Sequence, residues 1–196
     1  VRMSKLQRHL NVIALYGVVV VPELLLVLEY AQLGALSGWL ASKAGRKSSS
    51  EKRVTILRGA ACGLAHLHAQ KIVHLDVAAR NVLLDESTTP KWTDFGLSRR
   101  ARGGDADRHD AGELLPLRWM APEQLTRREF STKSDVFSFA VLCFEVLSGG
   151  EKPWSECSDA EAVRRVLAGE RGPMVGNEPA LLGKIMGQWF WGDPTQ

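Results

Sequence analysis

The chain has 196 residues, of which 45% are hydrophobic, so it suits one domain with a substantial core. Its net charge of +3, without a long basic run, argues against nucleic acid as a partner. The three cysteines lie far apart and form no C-x-x-C pair, which indicates a reducing compartment and no zinc site.

The first predicted elements are the end of a helix and two strands. Met3 and Leu6 share one face of a short amphipathic segment. Residues 12–28 are almost wholly apolar, but Pro22 and Glu23 divide them into halves that are too short to span a bilayer as helices. We therefore predict two buried strands joined by a tight turn, and no membrane segment.

Three further segments follow these strands. Residues 29–34 have the pattern of a strand that ends in a glycine turn, and residues 35–40 predict a short helix. Residues 43–53 are polar and contain three consecutive serines, so the sequence predicts a solvated loop there.

A long core helix is predicted next, because apolar residues recur at helical spacing. These residues are Leu57, Ala61, Leu64 and Leu67. His66 and His68 near its end are two residues apart and so lie on different faces. We interpret them as ordinary helix-end histidines rather than as metal ligands.

The second half of the chain predicts a loop and two helices. Residues 97–114 carry mixed charges and several glycines, which is typical of a mobile loop. Residues 134–147 predict a second buried helix with Ser134 as its N-cap, and residues 159–167 predict a third helix.

One stretch carries the residue types that phosphoryl transfer requires. Asp76 provides a carboxylate, Asn81 an amide five residues later, and Asp94 a second carboxylate eighteen residues after the first. A short apolar run at residues 82–84, and residues 91–93 that lead into Asp94, predict two short strands between them. A carboxylate can accept a hydroxyl proton, and Mg²⁺ prefers oxygen ligands and completes its shell with substrate phosphates.

The order and spacing of four motifs resemble those of the eukaryotic protein kinases, and most closely those of the tyrosine kinases. The motifs are HLDVAARN at 74–81, DFG at 94–96, APE at 121–123 and SDV at 134–136. If these residues were only an aspartate that caps a helix and a glycine that forms a turn, all four motifs would have to occur in this order by chance. The resemblance covers nearly the whole chain and implies a protein-kinase-like α+β fold.

The resemblance also implies a division of the chain into lobes. Residues 1–28 would be the end of the regulatory helix and two strands of the small β lobe, and residues 29–34 would be the hinge. Residues 35–196 would form most of the helical C-lobe, incomplete at its end. The implied location is cytoplasmic, in a soluble enzyme or in the cytoplasmic part of a membrane receptor.

By this resemblance, ATP and Mg²⁺ are the expected cofactors and a protein hydroxyl is the expected acceptor. Asp76 would accept the hydroxyl proton, and Arg80 would help to position the phenolic oxygen. Asn81 and Asp94 would hold the metal ions, so Asp94 would also contact the nucleotide phosphates. Asp135, at the start of a buried helix, would anchor the backbone of the catalytic loop.

The resemblance implies an adenine pocket at the hinge. Backbone groups of Glu29 and Ala31 would bind the adenine edge, Leu28 would limit the depth of the pocket, and Leu83 would pack under the ring. A hydrophobic column would align the two lobes, and its members would be Met3, Leu15, His74 and Phe95.

Two features match tyrosine kinases rather than serine/threonine kinases. Ala78 stands two residues after Asp76, where serine/threonine kinases generally carry lysine. The docking segment at 115–120 reads LPLRWM in place of a Gly-Thr motif, and Pro116 would supply an apolar platform for a phenol ring. The expected partner is therefore a tyrosine-containing protein.

Other features depart from the family pattern. The chain contains no G-x-G-x-x-G motif and no V-A-I-K-like strand, and it ends at Gln196, where the arginine partner of Glu123 is expected. We therefore expect a fragment that is truncated at both ends, has no signal peptide and is inactive by itself. Leu75 replaces the usual arginine, and the only hydroxyl side chain between Asp94 and Glu123 is Ser98, so loop phosphorylation is not the expected switch.

Two alternatives remain open. One is a pseudokinase or scaffold that binds partners through the helical lobe without turnover, which the absent small-lobe motifs favour and the intact Asp76, Asn81 and Asp94 oppose. The other is a serine/threonine kinase of the tyrosine-kinase-like group.

Overall fold

A computed structural model describes residues 6–21, 23–94, 99–100 and 116–170 of the chain. The strands in this part are β1 Leu15–Val19, β2 Leu25–Leu28, β3 Gly34–Ala35, β4 Ile72–Val73, β5 Val82–Leu84, β6 Pro90–Trp92 and β7 Arg99–Arg100. The helices are α1 Leu36–Ala41, α2 Lys43–Arg46, α3 Ser50–Ala69, α4 Pro122–Arg127, α5 Thr132–Ser148 and α6 Asp159–Leu167. Short 3-10 helices cover Ala79–Asn81 and Leu117–Trp119.

The main hydrophobic core lies between α3, α5 and the strands β5 and β6. Trp92 at the end of β6 is fully buried, and its indole nitrogen donates to the Ala60 carbonyl of α3 at 2.7 Å. A Cβ atom at Gly63 would come within 2.7 Å of the Trp92 ring, so a glycine is required for this close approach. The contact holds β6 firmly against α3 and thereby fixes the loop that follows it.

The predicted strands at 82–84 and 91–93 are confirmed as β5 and β6. They belong to an antiparallel sheet in the order β3-β5-β6, in which Leu83 pairs with Ala35 on one side and with Lys91 on the other. The predicted helices at 35–40 and 159–167 are confirmed as α1 and α6. No described helix is both long enough and apolar enough to cross a membrane.

The two strands predicted within residues 12–28 are present, but the prediction that they are buried is wrong. β1 and β2 form an antiparallel hairpin in which Val19 pairs with Leu25. The apolar side chains of Val18, Leu26 and Val27 are 38%, 43% and 47% exposed. The reason is that, in the described part of the chain, this sheet has only two strands, and of the β2 side chains only Leu28 packs against the main core.

Two predictions about helix starts are also wrong. Residues 43–53 are not a loop but contain α2 and the first turn of α3, because Ser42 and Ser49 each cap a helix by accepting a backbone N–H bond. The N-cap of α5 is Ser131 rather than Ser134, whose hydroxyl accepts from the Ser131 N–H at 3.0 Å as the third residue of a capping box. Serine clusters occur at helix N-caps as well as in loops, so the presence of serines does not by itself distinguish a cap from a loop.

The helix end predicted at Met3 and the charged loop at 97–114 lie outside the described residues, apart from the short strand β7.

Candidate active site

Asp135 anchors the backbone of residues 74–81, the predicted catalytic loop, as expected. Its carboxylate, which is 1% exposed in the first turn of α5, accepts the backbone N–H groups of His74 at 2.7 Å and Leu75 at 2.9 Å. His68 at the end of α3 bonds the same carboxylate at 2.8 Å. Leu75 has a φ of 70°, in the left-handed region that costs a non-glycine residue about 1–2 kcal/mol. The bonds to Asp135 therefore hold the loop in a conformation that it would not adopt alone.

His68 is one residue whose role the sequence analysis missed. It lies in the last turn of α3, as predicted, but its ring nitrogen is also a partner of a fully buried carboxylate, which was not predicted. His66, in contrast, stacks on His9 with ring centroids 4.5 Å apart and contacts the Gln7 carbonyl at 3.0 Å. Among the described residues, no group of three or more His, Cys, Asp or Glu side chains could hold a metal ion.

Asp76, Arg80 and Asn81 form one connected cluster on the loop. The Asn81 side-chain amide donates to the Asp76 backbone carbonyl at 2.8 Å and to the Asp76 carboxylate at 2.6 Å. The Arg80 guanidinium pairs with the other oxygen of the same carboxylate. Each carboxylate oxygen of Asp76 therefore has one partner, and the amide oxygen of Asn81 takes no part in these bonds.

His74 connects this cluster to the segment before Asp94. Its Nε2 atom contacts the Thr93 carbonyl at 3.1 Å, and its Nδ1 atom accepts the Asp76 N–H at 3.3 Å. A carbonyl can only accept, so Nε2 carries the proton and the ring is neutral. Burial lowers the pKa of His74, and the nearby Asp135 carboxylate raises it to a lesser extent. The Thr93 N–H also donates to the Asn81 carbonyl at 3.0 Å, so Asp94 follows a residue that is bonded to both.

Asp94 itself is exposed and has a φ of 55°, in the left-handed region. Phe95, predicted as part of a hydrophobic column with Met3, lies outside the described residues, as does Met3. Of the two described members, His74 is fully buried and Leu15 is half-buried.

The predicted hinge residues follow β2. The Glu29 N–H donates to the Ala14 carbonyl at 2.8 Å, and the Ala31 carbonyl accepts the Gly34 N–H at 3.1 Å. The Glu29 carbonyl and the Ala31 N–H take no part in these bonds, so they are the groups that could bind an adenine edge. Leu28 and Leu83 are both half-buried and pack against the main core.

A buried ion pair that the sequence analysis missed joins the hinge to β6. The Lys91 ammonium lies 2.9 Å from the Glu29 carboxylate, and the Lys91 side chain is only 6% exposed. It also donates to the Leu10 carbonyl at 2.9 Å. The sequence signal was a lysine within the predicted strand that leads to Asp94, because a buried lysine requires a partner.

Glu145 is a second missed residue. It is 8% exposed on α5, and one of its oxygens accepts both the Ala79 N–H at 3.0 Å and the Trp119 indole N–H at 2.9 Å. Burial raises the pKa of Glu145, whereas these two bonds lower it. The sequence did indicate this role, because Glu145 is the single acid in an apolar stretch of the helix, and a buried acid nearly always has hydrogen-bond donors.

Similar proteins were found by comparison of the sequence. A sequence model of the family described as protein tyrosine and serine/threonine kinase matches residues 1–196. Human ephrin type-A receptor 1 is 35% identical over 179 residues, which are 91% of this chain and 18% of the receptor. Mouse megakaryocyte-associated tyrosine-protein kinase is 35% identical over 195 residues, 99% of this chain and 37% of that protein. Spermatocyte protein spe-8 of Caenorhabditis elegans is 38% identical over 165 residues, 83% of this chain and 31% of that protein. The chain therefore spans between 18% and 37% of the length of these three relatives.

Proposed function

The chain belongs to the protein tyrosine and serine/threonine kinase family, and we propose that the protein that carries it transfers the γ-phosphate of ATP to a tyrosine hydroxyl of a protein substrate. The observation that carries this proposal is the geometry around Asp76. Its carboxylate is held by Asn81 and Arg80, on a loop whose backbone is bonded to the buried Asp135.

In the proposed reaction, Asp76 acts as the base. The substrate hydroxyl oxygen attacks the γ-phosphorus, the bond to the β-phosphate oxygen breaks, and the hydroxyl proton passes to Asp76. A carboxylate oxygen has two lone pairs, so each oxygen can keep its bond to Asn81 or Arg80 and still accept a further proton. The two existing bonds restrict the rotation of the carboxylate and so hold the base in position for the reaction.

The residues present fit a Mg²⁺ site of the kind that uses substrate phosphates. The amide oxygen of Asn81 and the carboxylate of Asp94 are hard oxygen ligands, and two such ligands from the protein are sufficient. When bound, Mg²⁺ neutralises charge on the transferring phosphoryl group. The chain's own contribution is to orient Asn81, whose nitrogen is fixed by Asp76.

We propose that the adenine of ATP binds at the hinge. The Glu29 carbonyl would accept from the adenine amino group, and the Ala31 N–H would donate to a ring nitrogen. Leu28 and Leu83 would cover the ring, which agrees with their half-buried positions at the edge of the core. In this arrangement, residues 1–28 would belong to the small lobe, residues 29–34 to the hinge and residues 35–196 to the helical lobe, on the cytoplasmic side where ATP is available.

Specificity for tyrosine is supported by three residues and one relative's name. Ala78 and Pro116 match the tyrosine-kinase pattern, and Arg80 lies next to Asp76, where it can contact a phenolic oxygen. One of the relatives is named a tyrosine-protein kinase.

We also infer that a loop phosphate does not switch this enzyme on. Leu75 is 5% exposed and lies in an apolar cluster with Val73, Met120 and Phe130. A side chain in that environment cannot pair with a phosphate as an arginine would. Phosphatase treatment of the active full-length enzyme should leave single-turnover activity unchanged. Loss of activity together with a phosphate mapped to Ser98 would contradict this inference.

The function is tested by incubating the full-length protein with ATP and a tyrosine polymer, followed by phospho-amino-acid analysis. We expect phosphotyrosine, and a loss of about 100-fold or more for Asp76→Asn, because a general base contributes at least that much. Asp85→Asn, on an exposed turn, is the matched control and should retain activity.

The 196-residue chain alone should show no appreciable turnover, because it contains no Gly-rich loop or V-A-I-K-like strand. Phosphoserine or phosphothreonine would instead favour a kinase of the tyrosine-kinase-like group. Failure of the full-length protein to transfer phosphate to any substrate would favour the scaffold.

A further inference from the structure

Trp119 lies where three parts of the site meet. It ends the 3-10 helix Leu117–Trp119 in the predicted docking segment, and its backbone carbonyl accepts the Ser138 hydroxyl of α5 at 2.6 Å. Its indole N–H donates to Glu145, also on α5, at 2.9 Å. The Arg80 guanidinium lies over its ring, 4.8 Å from the ring centroid. The indole edge is therefore bound to α5, and its face contacts the catalytic loop.

The same Glu145 oxygen also accepts the N–H of Ala79, the residue directly before Arg80. One buried acceptor thus holds the catalytic loop and the docking segment at a single point on α5. The face of the indole then determines where the guanidinium can lie, since a cation over an aromatic ring is attracted to the ring face. Arg80 reaches from that face to the carboxylate of Asp76.

We propose that Trp119 is a positioning residue, which holds Arg80 against Asp76 and is itself held in place by Glu145. The inference rests on the proposed function, because Asp76 is the base of that reaction. It adds a specific connection: the segment that docks the substrate and the carboxylate that accepts its proton are aligned through the same indole ring.

Arg80 would move freely without this ring. Its side chain is 40% exposed, so water could otherwise compete for the guanidinium and the Asp76 carboxylate would lose one of its two fixed partners. A displacement of about 1 Å at a reacting group can reduce the rate by about 100-fold. The binding of ATP at the hinge does not involve Trp119, so its affinity should be unaffected.

The chain offers a matched control in Trp154. This residue is buried, whereas Trp119 is half-buried, and it also lies under an arginine, with the Arg165 guanidinium 5.5 Å from its ring centroid. It packs with α6 rather than with the catalytic loop. Substitutions at Trp154 therefore measure the general effect of losing a tryptophan–arginine contact in this fold.

The kinetic test compares variants of the full-length protein. Trp119→Leu removes both the N–H and the ring face and should lower kcat by about 100-fold, with the KM for ATP within about twofold. Trp119→Phe keeps the ring face and should lower kcat by about tenfold or less. Trp154→Leu should leave kcat within about twofold. Equal effects of Trp119→Leu and Trp154→Leu would overturn the proposal.

A double-mutant cycle separates positioning from a general structural role. If Trp119 acts through Arg80, then Trp119→Leu should cost little further kcat in an Arg80→Met background. If Trp119→Leu does not fold, Trp119→Phe and Glu145→Gln are combined with Arg80→Met in the same way. If the two substitutions lower kcat additively, in whichever of these cycles can be measured, the proposal is overturned.

A spectroscopic arm does not depend on activity. In protein labelled with 5-fluorotryptophan, the ¹⁹F resonance that disappears in Trp119→Phe should shift in Arg80→Met and in Glu145→Gln, but not in Arg165→Met. If the full-length protein transfers no phosphate, the proposed function fails, and the ¹⁹F measurement alone then tests whether Trp119 contacts Arg80. A resonance that is insensitive to Arg80→Met would overturn the inference even in an active enzyme.

Discussion

Replacement of Asp135 by asparagine tests whether the catalytic loop depends on its buried anchor. The carboxylate accepts the N–H groups of His74 and Leu75 through different oxygens, and also contacts the His68 ring. Asparagine has one acceptor oxygen, so its NH₂ group must face one of these N–H donors. The substitution changes neither the size of the side chain nor its burial.

The expected cost follows from these contacts. One buried backbone donor loses its partner, which costs about 1–3 kcal/mol. The remaining bond loses the charge that makes it about twice as strong as a neutral bond, which adds about 1 kcal/mol. The free energy of unfolding should therefore fall by about 2–4 kcal/mol, and the left-handed Leu75 should be the first residue to relax.

Asp85→Asn is the matched control for this loss. The Asp85 carboxylate also accepts two backbone N–H groups, from Ser87 at 2.9 Å and Thr89 at 2.8 Å, but on a turn that water can reach. Both N–H groups bond the same Asp85 oxygen, which asparagine keeps, so only the charge is lost and the cost should be about 1 kcal/mol or less.

Urea unfolding of both variants gives the free energies, and hydrogen exchange of the His74 and Leu75 amides gives the local effect. Asp135→Asn should accelerate the exchange of these two amides. An Asp135→Asn variant that loses no more stability than Asp85→Asn, or that leaves both amides equally protected, would refute the reasoning.

Three further predictions concern single side chains. Burial raises the pKa of Cys143 to about 12, so a thiol reagent should modify the exposed Cys62 and leave Cys143 unreacted until the protein unfolds; fast reaction of Cys143 in the native state would contradict this. Burial lowers the pKa of His74 below its ordinary value of 6.5, so the unfolded chain takes up a proton there before the folded chain does. The free energy of unfolding should therefore fall as the pH drops below 6.5, and His74→Gln should remove this part of the fall, whereas an unchanged pH profile would exclude it. Val20→Lys and Leu26→Lys should raise the concentration at which the 196-residue chain aggregates, because these side chains are 70% and 43% exposed; no gain in solubility would show that the hairpin does not drive association.

The local elements and the composition of the site could be predicted from the sequence. Apolar spacing predicted the long helix, and the apolar run at 82–84 predicted β5, because a segment that buries one face or lies in the core repeats apolar residues locally. The spacing of Asp76, Asn81 and Asp94 placed three functional groups on one connected segment, and short-range geometry then brings Asp76 and Asn81 into contact. The anchoring role of Asp135 was predicted only through the family resemblance.

The tertiary structure alone decided which side chains far apart in the sequence became partners. Glu145 lies 66 residues from Ala79, and Lys91 contacts a carboxylate in the hinge; no local pattern relates such positions. It also decided the exposure of the hairpin, since an apolar strand is buried only where another layer covers it. A sequence specifies which residues need a partner, through the cost of burying a charge, but the packing of α3, α5 and the sheet determines which partner lies within reach.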